Sequence, residues 1–135
     1  MILIVCVDDH NGMMFNHRRQ SQDRVLRADI LELTDGKKLW MNAYSRKQFA
    51  ESDAEKIRVD EMFLDVAGDG EFCFVENADV SGCVERIEEI YLYRWNRDYP
   101  VEVYFPVDLS VWKCVETKEF AGSSHEKITR ERYTR

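Results

Sequence analysis

A chain of 135 residues with 44% apolar and 33% charged side chains has the size and composition of one globular domain with a real core, which excludes a disordered chain. Its net charge of −7 argues against general binding to nucleic acid or to an anionic membrane, where affinity comes from clustered positive charge. The longest apolar run, Ile2 to Val7, falls well short of the roughly 20 residues a membrane span needs.

That run is apolar at every position, as expected of a central strand covered on both faces. No basic leader precedes it, so it reads as the first strand rather than a signal peptide, and a cytoplasmic location is expected. Asp8-Asp9-His10-Asn11-Gly12 supplies turn chemistry, and a polar loop is expected to about Gln22. From Asp23 to Thr34 the pattern is helical: Leu26, Ile30 and Leu33 share one stripe, Ser21 or Asp23 caps the start, and Asp35-Gly36 ends it. Lys38 to Asn42 reads as a strand, Tyr44 to Glu51 as a short helix and Lys56 to Val59 as a strand. A short helix follows over Asp60 to Ala67, then a buried strand over Glu71 to Val75, then a helix over Asp79 to Ile87. Strands are expected at Tyr91 to Trp95, Val101 to Phe105, Trp112 to Thr117 and Ile128 to Tyr133. Helices alternate with strands early and strands dominate late, which predicts a mixed sheet with helices on its faces. Cys6, Cys73 and Cys114 sit in strand-like runs and are expected to be reduced, buried thiols; none of the four cysteines forms a CxxC pair.

Several segments match a known series in order and spacing. Ile2 to Val7 leads into Asp8 and Asn11; Leu33-Thr34-Asp35-Gly36-Lys37 precedes Leu39-Trp40-Met41; Val59-Asp60-Glu61 precedes Glu71 to Val75. Glu88 to Tyr93 follows, and Tyr104-Phe105-Pro106 stands before Leu109-Ser110 and Trp112. The series resembles that of the dihydrofolate reductases over most of the chain. The resemblance implies one α/β domain of three layers, residues 1–135, with a mixed central sheet and helices on both faces. It also implies NADPH as cofactor and oxidoreductase chemistry, if the chain is an enzyme.

The functional residues of that family do not carry over. The proline–tryptophan pair of its substrate loop falls on Gln20-Ser21, and its pterin-facing acid falls on Leu26. Asp23 and Asp29, one helical turn to either side, are the remaining candidates for a catalytic acid. The family's glycine-arginine-x-threonine stretch for NADPH falls on Asn42-Ala43-Tyr44-Ser45. Its paired glycines, where backbone must approach the dinucleotide, fall on Glu76-Asn77, and a carboxylate there opposes a pyrophosphate. An arginine segment that grips the folate tail belongs to a stretch this chain lacks. Ordinary reductase activity is therefore not expected, because fold and site chemistry are separable.

Two further stretches stand out. His17 to Arg27 holds four arginines in eleven residues of an acidic protein. The simpler reading is a solvated loop paired with nearby acids; the functional one is an anion site, since guanidinium forks match phosphate and carboxylate. Phe120 to Lys127 is a small-residue loop between the last two strands, either a plain hairpin connection or part of the same site. Arg18, Arg19, Gln20, Ser21 and Arg24 with Ser123, Ser124 and His125 are the candidate ligand-binding residues for a small anionic ligand. Asp8-Asp9-His10 lacks a second ligand group at metal spacing, so no metal site is expected. A Ser–His–acid group drawn from Ser123, Ser124, His125 and Glu126 alone fails, because adjacent residues do not supply the geometry without help from elsewhere. The chain lacks about one family strand between Phe49 and Lys56, leaving a sheet edge from which a homodimer is expected. Three readings follow: an anion-binding domain, an NADPH-dependent reductase with altered cofactor contacts, and a structural interaction module.

Overall fold

The computed structural model describes residues 1–50 and 55–135. Strand β1 (Ile2–Val7) lies at the centre of the main sheet, parallel to β6 (Phe72–Val75) on one side and to β7 (Glu89–Arg94) on the other. Beyond β6 come β4 (Leu39–Met41) and β5 (Ile57–Val59), also parallel. Beyond β7 come the antiparallel pair β10 (Ile128–Thr134) and β9 (Lys113–Phe120), so the order is β5-β4-β6-β1-β7-β10-β9. This is the expected mixed sheet.

The alternation along β1 divides the core. Ile2 and Ile4 face a cluster with Leu39, Met41, Phe72, Phe74 and Tyr93, covered by Leu26 and Ile30 of helix α1 (Arg24–Leu33) and by Phe49. Leu3, Val5 and Val7 face the opposite cluster, with Cys73, Val75, Ile90 and Leu92, covered by Phe63, Val80 and Ile87. Helices thus pack on both faces. Each large apolar side chain buried this way contributes about 1.5–3 kcal/mol relative to exposure.

Helix α1 begins where its sequence says it should. Asp23 is extended (φ −154°) and its carboxylate accepts from the N–H groups of Val25 at 2.9 Å and Leu26 at 3.2 Å. At the other end the Thr34 hydroxyl donates to the Ile30 carbonyl at 2.8 Å, and Gly36 takes φ 75°. Helix α2 (Ala43–Arg46) is capped by Asn42 and continues as a 3-10 turn over Lys47–Phe49; the last residue of the helix expected here, Glu51, lies outside the described residues. Helix α3 (Phe63–Val66) is a single turn.

Three expectations need correction. The polar loop to Gln22 contains strands β2 (Gly12–Phe15) and β3 (Arg18–Arg19), which form a small sheet with β8 (Val103–Tyr104). Met13 and Met14 are buried there, and β2 gets its second partner from a strand about ninety residues later, which no local pattern reveals. The helix expected over Asp79 to Ile87 is a 3-10 turn, Ser81–Arg86: Ser81-Gly82 favours no α-helix, and the Asp79 carboxylate takes the Ser81 N–H at 3.0 Å. Val80 and Ile87 are buried all the same. Finally, Cys114 is exposed and Cys6 only partly buried, because β9 is the outer strand of the sheet and Cys6 lies near the end of β1. Cys73 is buried, and burial pushes its thiol up to about 12. All four cysteines are free.

Candidate functional site

At the carboxyl ends of β1 and β6, four polar side chains close on one another. Glu76, just past β6, is buried and accepts two hydrogen bonds from Arg19, from Nε at 2.8 Å and Nη2 at 3.1 Å. It also accepts from Ser45 Oγ at 2.8 Å and Gln48 Nε2 at 3.0 Å. Arg19 lies over the Tyr44 ring, its Cζ 4.4 Å from the centroid, while its backbone N–H donates to the Tyr44 hydroxyl at 2.8 Å. Beside it, Asn42 Nδ2 donates to Asn77 Oδ1 at 2.8 Å and Asn42 Oδ1 accepts from the Ser45 N–H at 3.1 Å. Asn42, Tyr44, Ser45, Glu76 and Asn77 are thus tied to each other and to Arg19. The fork of Arg19 is spent on a carboxylate of its own chain.

A second knot joins the start of α1 to the last loop. Asp23 accepts from the N–H groups of Ser123 at 3.0 Å and Ser124 at 2.8 Å, from Ser124 Oγ at 3.1 Å, and faces His125 Nδ1 at 3.0 Å. Burial pulls this carboxyl up, but the donors Ser124, His125, Ser123 and Leu26 outweigh it and hold it well below the usual carboxylate range. His125 is buried, stacked on Trp95 with centroids 4.6 Å apart, and its Nε2 faces Ser21 Oγ at 3.1 Å and the Tyr99 hydroxyl at 3.0 Å. Ser123 Oγ accepts from the Arg24 N–H at 3.0 Å. The arginine-rich loop and the final loop therefore lie against each other.

Asp29 belongs to neither knot. It is buried and accepts from the Tyr93 hydroxyl at 2.6 Å, Lys118 Nζ at 2.8 Å and Arg130 Nη1 at 2.8 Å. Burial acts to raise this carboxyl, and the hydrogen bonds from Lys118 and Tyr93 with the Arg130 charge more than offset it. Such a carboxylate binds α1 to the β7–β10–β9 side of the sheet and has no proton to give. Leu26, where the resemblance places an acid, is wholly buried in the core.

The open feature nearby is a cleft of about 510 Å³ lined by Gln22, Asp23, Arg24, Arg27, Lys47, Gln48, Ala50, Ser123 and Ser124. It lies between the start of α1, the turn after α2 and the last loop. Among the described residues no ion pair occupies Arg24, Arg27 or Lys47, and Arg27 donates to Gln22 Oε1 at 3.4 Å. Of the candidate ligand-binding residues, Arg24, Ser123 and Ser124 reach this cleft. Ser21 and His125 sit just behind it, Arg18 is exposed on β3, and Gln20 donates to Asp8 Oδ2 at 3.2 Å and to the Pro100 carbonyl at 3.3 Å. Arg27 belongs to the arginine-rich stretch read as a possible anion site but not to the named ligand-binding candidates, although it stands one helical turn from Arg24; Lys47 was not singled out, because it reaches the cleft only through the fold. Among the described residues no group of three or more His, Cys, Asp or Glu side chains is arranged to hold a metal ion, and no helix is long and apolar enough to cross a membrane.

Neither protein-family models nor curated protein sequences match the chain. Solved structures do. Dihydrofolate reductase from Enterococcus faecalis, determined in complex with NADP(H) and RAB-propyl, aligns with a TM-score of 0.69 and 12% sequence identity, covering 99% of this chain and 95% of that one. The chain has the dihydrofolate reductase-like fold, as the order of its segments leads one to expect. At this identity the likeness is one of fold, and the chemistry must be argued from the residues.

Proposed function

We propose that the chain is a dihydrofolate reductase-like domain that binds a small phosphate- or carboxylate-bearing ligand and does not perform ordinary hydride transfer from NADPH to dihydrofolate. The observation that carries this reading is the cleft where Arg24, Arg27 and Lys47 converge beside the Ser123 and Ser124 hydroxyls. Three cations around one concavity repel each other, and an anion with several acceptor oxygens relieves that repulsion while satisfying their donors. Against hydride transfer stand the buried Leu26 at the acid position and the mutual bonding of Ser45, Glu76 and Arg19 where cofactor contacts are expected. A dinucleotide would have to displace a bidentate ion pair and bring its phosphates to a carboxylate.

The test is thermal unfolding of the wild type and of Arg24→Ala/Arg27→Ala against rising inorganic phosphate. A ligand that binds only the native state raises its stability by RT ln(1 + [L]/Kd), about 2.7 kcal/mol at a hundredfold excess over Kd. The expected result is a salt-sensitive rise in melting temperature for the wild type that the double variant loses. Equal responses in both proteins would rule the cleft out.

A further inference from the structure

The knot at His125 has an arrangement that the proposed anion cleft does not use. Ser21 Oγ lies 3.1 Å from His125 Nε2, and His125 Nδ1 lies 3.0 Å from Asp23 Oδ2. The three residues come from two places in the chain, 104 positions apart for Ser21 and His125 and 102 for Asp23 and His125. Asp23, held as a carboxylate by the N–H groups of Ser123 and Ser124, has no proton to share, so the proton between it and the ring sits on Nδ1. In the neutral ring, Nε2 then has its lone pair towards Ser21. Trp95, stacked at 25° to the ring, fixes the plane in which that lone pair points.

We infer that Ser21, His125 and Asp23 form a nucleophilic site able to cleave esters of small acyl groups. The roles follow from the geometry. Ser21 Oγ attacks the ester carbonyl carbon and passes its proton to Nε2; the carbon–oxygen bond to the alcohol breaks, and the alcohol leaves with that proton. Water then attacks the acyl-serine, again giving its proton to Nε2, and the carboxylic acid departs as Ser21 recovers its hydrogen. No oxidant, metal or cofactor enters the balance. The N–H of Gln22, directly after the nucleophile, has no acceptor among the described residues, and in this step it donates to the developing oxyanion.

The acyl group must be small. Ser21 opens on a cavity of about 10 Å³ walled by Cys6, Met13, Val75 and Trp95 on its apolar side, room for about one water or methyl group. The methyl of an acetyl group fits that space, with the ester's alcohol part outside it, and a longer acyl chain does not. The Tyr99 hydroxyl, 3.0 Å from the same Nε2, competes with Ser21 for the lone pair and slows the resting site. None of this depends on the cations of the neighbouring cleft, so a neutral ester tests it independently of phosphate binding.

The experiment uses p-nitrophenyl acetate and p-nitrophenyl hexanoate on the wild-type chain, Ser21→Ala and His125→Gln, following nitrophenolate release and mapping any acetylated residue by mass spectrometry. Expected are an acetyl group on Ser21, at least about a tenfold preference for acetate over hexanoate, and a loss of about 10²-fold or more in His125→Gln. Ser21→Ala, a change small enough to leave the fold intact, should abolish both release and adduct. Absence of acetylation at Ser21, or release unchanged in Ser21→Ala, would overturn the assignment, whatever His125→Gln does to folding.

Discussion

At Asp23 one carboxylate caps a helix, holds two backbone N–H groups of a loop a hundred residues away and meets a histidine ring. Asp23→Ala strands all of these donors, and we expect a loss of about 3–5 kcal/mol in chemical denaturation. Asp23→Asn keeps the cap and should cost less. The sign of the pH dependence follows from the depressed carboxyl: its stabilisation is fully present above the unfolded value of about 3.9 and is lost as pH falls through the folded one. Asp29 acts in the same direction. Wild-type stability should therefore fall steadily below about pH 5, and Asp23→Asn should show a shallower slope there. At Glu76, Arg19→Ala removes the bidentate partner of a buried acid while Ser45 and Gln48 remain. Arg19 is partly exposed, so about 2–4 kcal/mol is expected, and Arg19→Met/Glu76→Leu should lose much less than the two single changes added together.

The last loop reaches α1 only because Gly122 has no side chain. A Cβ at that position would stand 2.4 Å from Asp23 Oδ2 and 2.9 Å from Ile128 Cδ1. Gly122→Ala must push the loop off the helix start, so we expect a clear drop in melting temperature and weaker phosphate binding, measured on the same sample. Helix α1 was legible in the sequence because its signals are local: a capping Asp23, the Leu26–Ile30 stripe and Gly36 after it. The β2–β8 pair was not, since Met13 and Met14 sit in a polar stretch and find their cover far along the chain. Likewise the arginine cluster was visible, but Glu76 as the partner of Arg19 was not, because 57 residues separate them. Which arginine remains free for a ligand is decided by tertiary contacts.

Across the whole molecule, β5 ends the main sheet on one side with a strand of three residues, and Val59 and nearby Met62 and Val66 are exposed. Among the described residues no strand pairs with the outer side of β5, and an edge of that kind with apolar neighbours favours pairing with a second copy. Light scattering at rising concentration should show a dimer, and a monomer throughout would count against it. The parallel strands, the helices on both faces and the two-sided burial of β1 were all legible, because a core must be apolar wherever it lies. Where the resemblance puts reductase residues, the sequence reads Leu26 and Glu76-Asn77 instead. The most direct check is NADPH oxidation by the purified chain with dihydrofolate present. We predict no turnover above the enzyme-free rate; turnover in the ordinary enzyme range of about 1–10³ per second would contradict the account.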